Sequence, residues 1–142
     1  LVGSEMCIRD RRIGVADFIR AMEQSASLRR RVLNYAHVFL IQATHTAVVN
    51  GRAKIEERLA RWLLMAQDRV GSPDMTLTHE FLAIMLGVRR PGVTVALNIL
   101  ARHGLIRASR GAISILDREG LRKNANGAYG VPEAEFQRLF GG

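Results

Sequence analysis

The sequence predicts a mainly α-helical fold with a small β-hairpin wing. Three observations predict it. Apolar residues recur at alternating steps of four and three from position 28 to position 49, which indicates a long helix with a packed seam. Two shorter amphipathic segments then meet at Gly87, and the short β-type runs "LIRAS" and "AISIL" flank the turn "SRG". The predicted order is therefore a long helix, a group of shorter helices and a hairpin.

The composition indicates a compact domain with a basic surface. The chain has 142 residues, of which 48% are hydrophobic, and this is enough to form the core of one domain. Its 21 Lys and Arg against 13 Asp and Glu give a net charge of +8, which favours a polyanionic partner, with nucleic acid ahead of a membrane surface. A basic but merely solvated surface is the alternative. Only Lys54 and Lys123 are lysines, and arginine suits bidentate contacts to phosphate or guanine.

Cysteine and histidine usage excludes several classes of function. The single cysteine, Cys7, excludes a disulfide framework and any site built from several thiolates, and it fits a reducing compartment, so we expect a cytoplasmic protein. His37 and His45 are eight residues apart and lack the spacing of a helical metal pair. The sequence contains no pattern typical of a catalytic triad, a carboxylate pair or a phosphate loop. We therefore expect that the protein is not an enzyme and that it binds neither a metal ion nor a cofactor.

The first residues, "LVGSEMCIRDRR", show neither a helix nor a strand period and no apolar core of signal-peptide length. We expect residues 1–13 to be a non-native or residual segment outside the fold.

The long helix carries no charged residue from Val32 to Gly51. A membrane span is one alternative, but seven polar residues interrupt the stretch and would be costly in lipid. The seam instead predicts a coiled-coil contact with a second copy of the chain. Its residues are Leu28, Val32, Tyr35, Phe39, Gln42, Thr46 and Val49. A second stripe (Leu33, Ala36, Leu40, Ala43 and Ala47) would be covered by another domain, and a single buried core helix is the remaining alternative.

Asn50 and Gly51 are expected to end this helix. Residues 53–69 have an apolar face and predict another helix, and "VGSPDM", residues 70–75, predicts a loop.

The next two segments predict a helix-turn-helix. Thr78 is a candidate N-cap for a short helix, and Gly87 can adopt the left-handed conformation of a tight turn. Pro91 fits the first turn of the second helix, where its missing N–H has no intrahelical partner. We expect that second helix, about residues 89–102, to bury Val93, Leu97 and Leu100. It would leave Arg89, Arg90, Thr94, Val95 and Asn98 exposed.

Charge supports a nucleic-acid interpretation of this pair of helices. Between Phe81 and Leu116 the sequence has five arginines and no acidic residue, which is typical of a DNA-reading element. Ser109 and Arg110 lie in the turn of the hairpin, where they could contact backbone phosphate. Asp117 is expected to cap one further helix, and "VPEAEFQRLF" predicts a last one with Pro132 in its first turn.

The chain resembles the C-terminal part of the Crp/Fnr family of bacterial transcription regulators. The resemblance rests on "RLARWLLMAQDR", "LTHEFLAIMLGVRRPGVTVAL" and "GLIRASRGAISILDREGL", and more loosely on "AYGVPEAEFQRLF". It implies a dimerisation helix, a winged helix-turn-helix domain and a missing sensory domain before residue 14. It places the family's guanine-reading arginine at Arg90. Pro91 stands where many members have glutamate and Val95 where they have a further arginine, so the family's usual operator is not carried over.

The expected function is sequence-specific, dimeric regulation of transcription. Residues 14–51 form the predicted dimerisation helix region and residues 52–142 the predicted DNA-binding domain, which reads a palindromic site. The expected base-reading residues are Arg90, Pro91, Val95 and Asn98. The expected phosphate contacts are Thr78, Arg89, Gly92, Thr94, Ser109 and Arg110. The partners are double-stranded DNA and a second copy of the chain, with RNA polymerase as a further candidate. The alternative is a winged-helix interaction module that docks an acidic protein.

Overall fold

The structure is a computed structural model that describes residues 12–141. Helices dominate this part of the chain, which confirms the predicted fold class. The helices are α1 (Val15–Gln24), α2 (Ala26–Arg52), α3 (Ile55–Val70), α4 (His79–Leu86), α5 (Arg90–Arg102), α6 (Arg118–Asn124) and α7 (Val131–Phe140). The strands are β1 (Asp74–Thr76), β2 (Ile106–Ser109) and β3 (Ala112–Ile115). Cys7 and most of the predicted segment 1–13 lie outside the described residues.

The chain divides into two compact units, Leu1–His37 and Val38–Gly142, and the division falls inside α2. The last part of α2 therefore belongs to the same unit as the helix-turn-helix. The boundary expected between residues 51 and 52 separates a dimerisation region from a DNA-binding domain, and this division by function stays a prediction.

The first unit contains a helix absent from the sequence-based expectations. In α1 the apolar residues Val15, Phe18, Ile19 and Met22 recur at the spacing of one helix face, and this is the signal that could have found it. α1 buries no residue, and Val15 is 76% exposed. After it, Ser25 Oγ accepts a hydrogen bond from Leu28 N (3.2 Å), so this serine caps the start of α2.

α2 continues past the residues that were expected to end it. Asn50 and Gly51 are helical, and Ala53 N still donates to Val49 O (2.9 Å) beyond the last helical residue, Arg52. The expected end was therefore wrong by a few residues. Glycine in an exposed helix costs only about 1 kcal/mol relative to alanine. Because a helix that has already formed extends cooperatively, this cost does not end α2 at Gly51.

The expected loop at residues 70–75 holds part of a third strand, which corrects the prediction of a hairpin alone. β1 pairs antiparallel with β3, giving the order β1-β3-β2, and Met75 lies opposite Ile113. Met75 is buried while Asp74 and Thr76 are exposed. This alternation spans only three residues next to Pro73, which is too short to predict a strand. The expected hairpin itself is confirmed, with Ser109 opposite Ala112 across the turn.

The core of the second unit forms around α3, which packs against α4, α5 and α6. Its largest fully buried side chains come from α3, α4, α5, β2, β3 and α6, and they are Leu59, Leu63, Leu64, Leu82, Val93, Leu97, Leu100, Ile106, Ile113 and Leu121. The ring centroids of Trp62 and Phe81 lie 5.7 Å apart in an edge-on arrangement, which adds an aromatic contact between α3 and α4.

Polar side chains attach the last part of α2 to this core. Arg61 is only 4% exposed, and its Nη2 donates to Thr46 Oγ1 (3.0 Å). His45 Nε2 donates to the carbonyl of Ala128 (2.8 Å), and Arg69 Nη2 donates to Gln42 Oε1 (3.0 Å). Burial lowers the pKa of Arg61 from its usual value, and the nearby Glu133 carboxylate opposes that shift.

A second polar cluster joins α3 to α6 and to the segment before α7. Arg118 Nη2 donates to Asp68 Oδ1 (2.7 Å) and to the hydroxyl of Tyr129 (2.9 Å), and that hydroxyl donates to Asp68 Oδ2 (2.6 Å). Burial and the hydrogen bond to Asp68 raise the pKa of Tyr129 to about 12, so the phenol keeps the proton it donates.

One arginine of α3 caps the first helix of the helix-turn-helix. Arg58 Nη2 donates to the carbonyl of Leu86, the last residue of α4. The final carbonyls of a helix have no intrahelical partner, and a cation there also favours the negative end of the helix dipole. Arg58 therefore stabilises the end of α4 from a neighbouring helix.

We expect alanine to have opposite effects at two helical glycines. A Cβ at Gly120 would meet Leu105 Cδ2 at 2.6 Å and the Asp117 cap, whereas a Cβ at Gly51 meets nothing within 4 Å. Gly51→Ala should raise the free energy of unfolding by about 0.5–1 kcal/mol through helix propensity, and Gly120→Ala should lower it. Urea unfolding measures both. The same sign of change in both variants would contradict the described packing.

We expect Arg58→Met to lower the free energy of unfolding by about 1.5–3 kcal/mol, because methionine keeps the aliphatic stem but leaves the Leu86 carbonyl without its charged donor. Arg122→Met is the matched control, since Arg122 makes only an exposed ion pair with Glu119 on its own helix and should cost at most about 0.5 kcal/mol. Equal losses in urea unfolding would show that the cap contributes nothing.

Candidate nucleic-acid interface

α4 and α5 form the predicted helix-turn-helix. Their axes differ by 103°, within the usual range for this motif. Between them Gly87 has φ 61°, the left-handed conformation expected of it, and Val88 N donates to Ala83 O (3.0 Å). The turn is short because Gly87, which has no Cβ and adopts positive φ without steric strain, ends α4.

The predicted cap of α4 is confirmed. Thr78 Oγ1 accepts a hydrogen bond from Phe81 N (3.1 Å). One residue later, His79 Nδ1 lies 3.0 Å from Thr94 Oγ1, which donates to the carbonyl of Arg90 (3.3 Å). This link between the two helices was not foreseen, because side chains 15 residues apart give no local signal. Both threonine hydroxyls thus hold the motif together, and their phosphate contacts stay predictions.

α5 has the predicted division into a buried and an exposed side, except that Thr94, which was expected to be exposed, is half-buried against His79. Val93, Leu97 and Leu100 are at most 1% exposed, as expected, and Ala96 joins them. Arg90, Pro91 and Asn98 are exposed, and Val95 is 59% exposed. Four predicted base-reading residues therefore lie on accessible parts of one helix.

The start of α5 matches the expectation for Pro91 and shows a packing role for Gly92. Pro91 is the second residue of the helix, as its missing N–H predicts. Gly92 is one of the expected phosphate contacts, and its Cβ position faces inward, 3.3 Å from Ile55 Cδ1. The N–H of Gly92 donates to Arg89 O (2.9 Å). The glycine lets α5 approach α3 closely, and its phosphate contact remains only a prediction.

The wing presents polar and basic side chains at its tip. Arg110 and Gly111 form the turn between β2 and β3, with Gly111 at φ 77°. Ser109 and Arg110 are both exposed, and Ser109 Oγ lies 3.5 Å from the carbonyl of Ala112. The predicted phosphate contacts of the hairpin are thus accessible.

The positive charge of this region is not neutralised by the protein. Five arginines lie within the acid-free stretch, all of them exposed, and none forms an ion pair with any residue in 12–141. They are Arg89, Arg90, Arg102, Arg107 and Arg110. By contrast, Arg118, Arg122 and Arg138 outside the stretch are each paired with a carboxylate. Asp117, the acid that follows the stretch, caps α6 by accepting from Gly120 N (2.9 Å).

The side chains of the predicted dimer seam range from exposed to buried. Tyr35 and Phe39 are 62% and 60% exposed, and Leu28 and Val32 are half-buried. Val49 is only 7% exposed within its own chain. Gln42 and Thr46 accept hydrogen bonds from α3, as described above, so packing inside the chain already uses the end of the seam.

The described residues offer little for metal or membrane chemistry. Across residues 12–141, no group of three or more His, Cys, Asp or Glu could hold a metal ion. No single described helix is long and apolar enough to cross a membrane, and α4 and α5 pass that length and composition test only as a sharply bent pair.

Comparison with known proteins identifies the domain. Residues 57–124 match the model of the Crp-like helix-turn-helix domain. No curated protein matches the chain. A Crp/Fnr-family transcriptional regulator from Eubacterium rectale has a similar structure, with a TM-score of 0.63 and 24% identity over 81% of this chain and 53% of that one.

Two regulators from Thermus thermophilus are also similar. A Crp/Fnr-family regulator has a TM-score of 0.56 and 28% identity over 63% of this chain and 50% of that one. A Crp-family regulator has a TM-score of 0.55 and 24% identity over 84% and 59%. This chain thus spans between half and three fifths of their lengths, and such regulators are not enzymes. Residues 57–124 are a Crp-like helix-turn-helix domain, in a chain with the fold of Crp/Fnr-family transcriptional regulators.

Proposed function

We propose that this chain is the DNA-binding part of a transcription regulator that binds a palindromic duplex site as a dimer. One observation carries the proposal: five exposed arginines without ion-pair partners among residues 12–141 lie on α5, the second helix of a helix-turn-helix, at its start and on the hairpin that follows it. Phosphate groups are the partner that such a surface favours, since their contacts release condensed counterions.

In the proposed complex α5 enters the major groove with its N-terminal turns nearest the bases. Arg90, exposed at the first position of the helix, would donate two hydrogen bonds to one guanine edge, worth about 1–3 kcal/mol of discrimination. Pro91, Val95 and Asn98 would face neighbouring base edges. This placement follows from the exposure of these side chains and from the way helix-turn-helix proteins dock.

Contacts to the phosphates would fix the register of α5 on the duplex. Arg89 at the start of α5 and Arg110 at the tip of the wing are fully available for this role. Ser109 lies beside Arg110, while Thr78, Thr94 and Gly92 lie at the two helix starts. These contacts supply affinity for any duplex but no sequence information.

Two copies of the chain would place their α5 helices in successive major grooves, about 34–36 Å apart. The proposed contact runs along α2 through Leu28, Val32, Tyr35 and Phe39, because a two-fold axis brings the same apolar stripe of both copies together. The end of the stripe would contribute less, since Val49 is already buried in its own chain.

The alternative is that the partner is an acidic protein. A measurement of binding to random duplex DNA distinguishes this alternative from the proposed function. The proposed function predicts salt-dependent, micromolar binding to any duplex and tighter binding to sequences enriched by selection. Absence of both would favour the protein partner and end the proposal.

We expect Arg90→Ala and Arg110→Ala to weaken DNA binding in different ways. Arg90→Ala should relax the base preference at one position in each half-site and cost about 1–3 kcal/mol on the selected site. Arg110→Ala should weaken all sequences alike and reduce the salt slope by about 1. Arg122→Ala, whose arginine is already paired with Glu119, is the control and should change neither. Identical behaviour of the Arg90 and Arg110 variants would refute this division of roles.

We expect Phe39→Glu to break the proposed dimer, because the two-fold axis would bring two carboxylates together in an apolar contact. Val48→Glu is the matched control, since Val48 is a similarly exposed apolar residue (54%) on the opposite side of α2. Sedimentation equilibrium should give a monomer for the first variant and a dimer for the second. A monomeric parent chain, or a Phe39→Glu dimer, would count against the seam.

A further inference from the structure

The exposed side of α5 carries a stripe with an unusual composition. At about 100° per residue, Pro91, Val95, Asn98 and Arg102 lie within about 60° of one another, and all four are exposed. Arg90 lies about 100° to one side. The stripe therefore begins with two apolar residues in the first two turns, and its polar members come later in the helix.

Val95 is the feature of this stripe that packing does not explain. The other valine of α5, Val93, is 0% exposed, and Leu97 and Leu100 are at most 1% exposed, whereas Val95 is 59% exposed. A β-branched side chain in a helix is nearly confined to one rotamer, so Val95 presents two methyl groups in a fixed direction. A rigid apolar group at the centre of the exposed stripe suits recognition of another apolar group.

Among the base edges in the major groove, thymine alone presents an apolar group, its C5-methyl. The edges of cytosine and adenine carry amino groups and that of guanine carries acceptors, and each would lose hydrogen bonds to water against a valine. Val95 has no donor or acceptor to replace them. Contact with Val95 would therefore favour thymine and disfavour the other bases.

We propose that Val95 reads one thymine in each half-site through contact with the C5-methyl group. The inference rests on the proposed function, because it needs α5 in the major groove. The inference goes beyond the proposed function because it assigns to Val95 an apolar contact with one kind of base. The first turns of a recognition helix lie nearest the base edges, which places Val95 within reach of that methyl.

The experiment removes this methyl group alone. In the duplex site obtained by selection, each thymine is replaced in turn by uracil, which pairs identically but lacks the C5-methyl. We expect a three- to fivefold loss of affinity at one position per half-site for the parent chain, about the effect of exposing one methyl group. Val95→Ala should bind the thymine and uracil duplexes equally at that position.

Two controls separate this contact from general weakening. Arg90→Ala should bind less tightly overall but keep the loss on uracil substitution. Val131→Ala removes a similarly exposed valine (58%) on α7 and should behave as the parent chain. In a second measurement, cytosine at the position should bind less well than 5-methylcytosine, because the latter carries a methyl at the same place in the groove.

The outcomes distinguish the inference from the function on which it rests. A selected half-site without thymine, or a uracil effect that Val95→Ala leaves unchanged at every position, overturns the thymine contact while the regulator remains. Selection that enriches no sequence overturns the proposed function itself.

Discussion

Packing of α3 against the other helices of the second unit is the constraint on which the rest depends. Leu59, Leu63 and Leu64 of α3 are 0% exposed, and α5 and α6 both pack on this helix. Burial of each such side chain contributes about 1.5–3 kcal/mol, which is large against the net stability of a typical domain. Because α3 packs on α5 and also holds α4 through Arg58, a displacement of α3 would change the placement of the exposed arginines of the helix-turn-helix.

The charge distribution is a consequence of this arrangement. The two helices of the motif are joined by neutral side chains, His79 of α4 and Thr94 of α5. The five exposed arginines of this region form no ion pair with any residue in 12–141. Three arginines elsewhere in the second unit form ion pairs: Arg118 with Asp68, Arg122 with Glu119 and Arg138 with Glu135. Glu80 in the first turn of α4 is the one carboxylate within the helix-turn-helix, and none follows it up to Leu116, so a cationic surface remains where α5 is exposed. Folding and electrostatics favour the same face for DNA.

Much of this structure could be predicted because its signals are local. Thr78 and Gly87 fix the start and end of α4 through their own backbone neighbours, and the period of Val93, Leu97 and Leu100 identifies the buried side of α5. The features that could not be predicted depend on contacts between residues far apart in the sequence. β1 exists because β3 supplies its hydrogen bonds, and Arg58 acts through a carbonyl 28 residues later in the chain. No window of sequence contains either contact.

Gly92 shows how one local feature is compatible with two physical causes. Glycine after Pro91 is compatible with a backbone close to phosphate, and equally with a backbone close to another helix. The neighbour at 3.3 Å is Ile55 of α3, so the small residue permits close packing inside the protein. This has a consequence for recognition. With α5 seated tightly on α3 at its first turn, the exposed stripe that begins at Pro91 is held in a fixed direction. A rigid stripe is what an apolar side chain such as Val95 needs, because a methyl contact, unlike an arginine fork, cannot adjust its length to reach a distant base.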